Sequence, residues 1–115
     1  MPKVAIFAFN GEMTCFVHAL LNVLDLKARG AEARLVVEGT ATKLAGEFAG
    51  QGAFGQLFRQ VLEQGLLAGF CQACAEKMGS LEEARRLGLP LLNDMKGHAG
   101  MAPFLAQGYQ VITFG

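Results

Sequence analysis

At 115 residues the chain has room for one domain around a single core, and none for a separate substrate domain. It is 52% hydrophobic and only 17% charged, against roughly 25% charged in ordinary globular chains, so its surface is thinly covered and a homo-oligomer is expected. Ten cationic and ten anionic side chains cancel, which argues against a phosphate-tracking groove for nucleic acid.

The opening "MPKVAIFAF" holds an apolar run of strand length over residues 3–9, closed by the turn signal Asn10-Gly11. It is too short to span a bilayer and lacks a secretory cleavage site, so no membrane attachment and a cytoplasmic location are expected. Met13, Phe16, Val17, Leu20, Leu21 and Leu24 then recur at helical spacing, with Thr14 as the candidate cap and Lys27, Arg29 and Gly30 closing the helix. "AEARLVVEG" reads as a second strand, and "TATKLAGEFAG" as a helix ending at Gly50. Phe54, Phe58, Val61 and Leu62 mark the face of the next helix, which stops near Gly65. "LLAGF" is a third strand leading into "CQACAEKMG", a short helix up to Gly79. Ser80 and Glu83 have capping-box spacing before "LEEARRLG". "LPLLN" is a short fourth strand, "DMKGHAG" a loop, "MAPFLAQG" a helix with Pro103 in its first turn, and "YQVITFG" the closing strand.

Strands separated by helical stretches, with nearly continuous apolar character, predict a three-layer α/β/α domain over residues 1–115 with a five-stranded, mainly parallel sheet. Right-handed crossovers put every strand's C-terminal end on one edge, where open α/β sheets bind ligands. Cys15 and His18 fall there after strand one, Cys71 and Cys74 after strand three, and His98 after strand four. Glu12, Glu38 and Asp94 also sit at strand ends, placed to tune the histidines or merely to solvate the rim. "GQGAFG" (50–55) matches the dinucleotide fingerprint in letters only, because a helix and not a strand precedes it.

Three cysteines, an odd number, in a reducing compartment read as thiols, ligands or core filler rather than a disulfide framework. Cys71 ends a strand and opens a helix, where backbone N–H groups favour thiolate, which makes it the candidate nucleophile. Cys74, one turn on, is placed as a resolving thiol. Each also reads as a small core residue. Cys15 and His18 share a helical face, and His98 lies in the glycine-flanked "KGHAG". Together Cys15, Cys71, Cys74, His18 and His98 offer donors for zinc, although a second C-x-x-C pair is missing. A small-ligand-binding oligomer with incidental cysteines is the plainest alternative.

The strand that ends in a polar turn, the helix "HALLNVLDLKARG" and above all "GLLAGFCQACAEKMG" resemble the DsrE-like family of small cytoplasmic α/β sulfur-relay proteins. Cys71 matches the position of the family's relay cysteine, and Gly79 the glycine that follows its small-residue helix. The resemblance implies that Cys71 accepts sulfur as a persulfide, with Cys74 or Cys15 assisting. It also implies sulfurtransferase-like carriage between donor and acceptor proteins, oligomeric assembly and no required cofactor. Cys74, Cys15 and the two histidines are additions to the relay pattern.

Overall fold

The computed structural model describes residues 2–115. Its elements follow in the order β1 Lys3–Ala8, α1 Met13–Ala28, β2 Glu32–Val37, a 3₁₀ segment Gly39–Ala49, α2 Gly55–Glu63, β3 Leu67–Cys71, α3 Gln72–Lys77, α4 Leu81–Arg86, β4 Leu91–Leu92, α5 Ala102–Ala106 and β5 Gln110–Phe114. The five strands form one sheet in the order β4-β3-β2-β1-β5, and every pairing in it is parallel.

That order explains how the helices are shared between the faces. From β1 to β4 the chain steps across the sheet in one direction, so right-handed crossovers place α1, the 3₁₀ segment, α2 and α4 on the same side. The return from β4 to the far edge runs the other way and delivers α5 to the opposite side. Two cores result. The larger joins Ile6, Leu35 and Phe70 to Phe16, Leu20, Phe48, Phe58 and Ala84. The smaller joins Phe7, Val36 and Cys71 to Ala99 and Tyr109, with Phe104 packed on it.

Aromatic rings tie the larger core together. Phe16 stacks on Phe58 at 5.6 Å, Phe58 meets Phe48 edge-on at 4.9 Å, and Phe48 meets Phe70 at 5.7 Å. This chain of rings connects α1 to the end of β3, one residue before Cys71.

Several local expectations change. Helix α1 is capped by Glu12, not Thr14: the Glu12 carboxylate accepts from the Cys15 N–H at 3.1 Å. No capping box forms at α4, because the Ser80 hydroxyl donates to the Ala75 carbonyl at 3.3 Å and Glu83 pairs instead with Arg86. The 39–49 stretch winds as 3₁₀ and stops at Gly50, whose φ of 82° is left-handed. Residues 50–54 then link the two helical segments, as the missing preceding strand implied.

Candidate functional site

The connections after β3 and β4 leave toward opposite faces of the sheet, so the crevice expected at a reversal of winding lies between these two neighbours. Cys71 is the last residue of β3 and the N-cap of α3. Cys74 lies in the first turn of the same helix. His98 arrives from the segment after β4, and its Nδ1 faces Cys71 Sγ at 3.3 Å and Cys74 Sγ at 3.7 Å. Cys71 is fully buried, Cys74 half-buried and His98 exposed.

An exposed histidine holds such a position only if its backbone is fixed. Met95 and His98 exchange two N–H···O bonds of 2.9 Å, and the residues between them, Lys96 and Gly97, have φ of 52° and 91°. Left-handed φ at both central positions makes a type I′ turn, which suits Gly97 and strains Lys96. The Ala73 N–H donates to the Gly97 carbonyl at 2.9 Å and clamps the turn to α3. Asn93 Nδ2 donates to Gln72 Oε1 at 3.0 Å, and Asp94 accepts from the Gly100 N–H at 3.2 Å.

β3 itself is shaped for close approach. A Cβ at Gly69 would stand 2.8 Å from Leu92 Cγ, so glycine is what lets the short β4 lie against the end of β3. The β2–β3 register shifts next to this residue, after which Val36 pairs with Gly69 and Val37 with Phe70. Glu38 follows directly after β2, at the same edge of the sheet.

The expectation that the helix start would favour a Cys71 thiolate is overturned. Burial pushes the Cys71 thiol up, and it outweighs the opposing pull of the Cys74 and Ala99 N–H groups. Helix α3 has six residues, too few for a strong dipole, and its Ala73 N–H is already committed to Gly97. Glu38 is 6% exposed, and burial first, then the Asp94 charge, raises its carboxyl to about 7. In the sequence Glu38 and Asp94 stand at separate strand ends, with no pattern that pairs them. The available signal was Glu38 following the uninterrupted "LVV" of β2.

Cys15 and His18 do not join this cluster. Both are exposed on the first turns of α1 and line a separate apolar cleft of 290 Å³ with Asn10, Phe16 and Phe114, at the ends of β1 and β5. The Glu12 carboxylate beside Cys15 raises its thiol, mainly through a hydrogen bond. The five-donor set therefore narrows to Cys71, Cys74 and His98, whose donor atoms all lie within 4.8 Å of one another. No helix among the described residues is long and apolar enough to cross a membrane.

No family model matches the chain. The uncharacterized protein MJ0733 of Methanocaldococcus jannaschii is 30% identical over 117 residues, covering 96% of this chain and 93% of that protein. The chain belongs to the family of that archaeal protein. An uncharacterized protein of Archaeoglobus fulgidus is 45% identical over 47 residues, 41% of this chain and 77% of that one. Among solved structures, a conserved protein of unknown function, BT1422 from Bacteroides thetaiotaomicron, superposes with a TM-score of 0.70 at 20% identity, covering 96% of this chain and 93% of its own. At that identity the likeness is one of fold. The archaeal relatives are uncharacterized, so the chemistry rests on the geometry of the site.

Proposed function

We propose that the protein is a DsrE-like, sulfur-handling thiol protein in which Cys71 accepts sulfur as a persulfide. The observation that carries this reading is one imidazole nitrogen facing two cysteine sulfurs at the sheet's ligand-binding edge. Because burial disfavours the Cys71 thiolate, a base is required, and His98 Nδ1 is in place to take the thiol proton. The thiolate attacks the outer sulfur of a donor persulfide; a new S–S bond forms on Cys71, the donor's S–S bond breaks, and the departing thiolate is protonated. Persulfide and thiol thereby exchange one sulfur atom without an outside oxidant. An acceptor thiol then removes the outer sulfur by the same displacement. Alternatively Cys74, whose sulfur lies within 4.8 Å, expels it as hydrogen sulfide and leaves a Cys71–Cys74 disulfide.

Donor and acceptor are proteins in this reading, the compartment is the cytoplasm, and the assembly is a homo-oligomer. Exposed Met95 (54%), in the turn that carries His98, and Leu105 (58%) on α5 support such contacts. Sulfur exchange needs no cofactor; zinc is the ion that the same donors suit. Cys15 is a weaker assistant, since it lies in the other cleft. The test is intact mass spectrometry of the metal-free protein after incubation with a persulfide donor. A single sulfur adduct absent from Cys71→Ser is expected, and an equal yield from that variant sinks the reading.

A further inference from the structure

We propose that Cys71 Sγ, Cys74 Sγ and His98 Nδ1 form a three-donor site for one zinc-class divalent ion, with its fourth coordination position open on the solvent side. The inference is independent of sulfur exchange, although it uses the same side chains.

The spacing of the donors carries it. Zinc–sulfur bonds of about 2.3 Å and a zinc–nitrogen bond of about 2.0 Å, set at tetrahedral angles, place sulfur and nitrogen about 3.5 Å apart and the two sulfurs about 3.8 Å apart. The two sulfur–nitrogen distances here are 3.3 and 3.7 Å, on either side of that value, and the sulfur–sulfur distance falls within 4.8 Å. A hydrogen bond accounts for only half of this arrangement. Nδ1 has either one proton or one lone pair in the ring plane, enough for one good partner, yet two sulfurs converge on it. A single ion at their common centre satisfies all three atoms.

The donors are also held in place before any ion arrives. Cys71 caps α3 and Cys74 lies in its first turn, and the type I′ turn that carries His98 is clamped to that helix through the Gly97 carbonyl and the Ala73 N–H. Two thiolates and an imidazole are soft to borderline donors, which favours zinc over magnesium or calcium. Cys71 lies on the buried side and His98 on the exposed side, so the unfilled position faces outward, as in zinc sites that keep a place for water or substrate. Binding releases the two thiol protons to solvent, and the ion's charge stabilises both thiolates.

The reduced full-length chain, stripped of metal, is titrated with zinc against a chromophoric chelator, and cobalt is used in parallel for its thiolate charge-transfer band. One zinc per chain is expected. Cys74→Ser and His98→Gln should each weaken binding at least about tenfold, whereas Cys15→Ser and His18→Gln leave it unchanged. Cys71→Ser perturbs a buried position, so His98→Gln, at an exposed one, is the deciding variant. Failure to compete with the chelator, or binding indifferent to His98→Gln, overturns the site. A sulfur adduct without zinc uptake removes the metal site and leaves sulfur handling standing, and zinc uptake without an adduct does the reverse.

Discussion

Two places on the same edge of the sheet hold a cysteine and a histidine within a turn or two of a strand's end. At β1 the pair is Cys15 and His18, spaced three apart on one helix, both exposed beside an apolar cleft. At β3 and β4 the partners are 27 residues apart in sequence, and they meet. Helical spacing puts two side chains on one face without aiming them at each other, whereas adjacent parallel strands with oppositely directed connections bring two loops into one crevice. Convergence here comes from topology and not from local pattern.

The sharpest way to break this contrast is chemical labelling. In the native protein Cys15 should alkylate at least about a hundredfold faster than Cys71, whose exposure requires local opening; peptide mapping after a short iodoacetamide pulse reads the ratio, and similar rates would mean that the two ends do not differ. Phe58→Ala should couple the regions, since the ring chain through Phe58 links α1 to the end of β3. A loss of about 3–5 kcal/mol in urea unfolding is expected, with faster Cys71 labelling as well.

Glu38 adds a pH signature peculiar to the β2–β3 end. Its carboxyl titrates near 7 in the fold against an ordinary 4.5, so the folded chain holds a proton that the unfolded chain has lost. The stability linked to it is complete below pH 4.5 and disappears as pH rises through 7. Glu38→Gln should flatten that decline, a difference on the order of 3 kcal/mol at most between pH 5 and 8; an unchanged slope would mean that the carboxyl is better solvated than its burial indicates. Gly97→Ala meets no close atom, with Ala73 Cβ at 3.8 Å. It forces a side chain into left-handed φ, at a cost of about 1–2 kcal/mol, and should loosen His98 and speed Cys74 labelling. The smallest effect belongs to the other end: Glu12→Gln weakens the hydrogen bond, and removes the lesser charge effect, that raise the Cys15 thiol, and should speed its alkylation severalfold near pH 8.

Much of this architecture was legible in the chain. Apolar runs ending at Asn10, Glu38 and Cys71 located the three central strands, and "DMKGHAG" was rightly a loop following β4. What was not legible depended on strand order. Only the order places Cys71 next to the segment after β4 and leaves α1 two strands away, and no residue pattern encodes it. The thiolate expected at Cys71 failed for a related reason, because a local rule about helix starts met a position buried in the smaller core. Ser80 likewise had the right spacing for a cap, but its hydroxyl found the Ala75 carbonyl first.

β4 is two residues long and lies at the sheet's margin, paired only as Phe70 with Leu91 and Cys71 with Leu92. Half of the site thus hangs on the least-anchored strand of the sheet, while the other half is built into the core. Fraying of that margin would part the histidine from the sulfurs without melting the rest of the molecule. The Phe70 amide, bonded to the Pro90 carbonyl, is the natural reporter. Its hydrogen exchange should outpace that of the β1 amides and slow once the three side chains share a ligand, so the occupant of the site would act as a latch on the edge of the sheet.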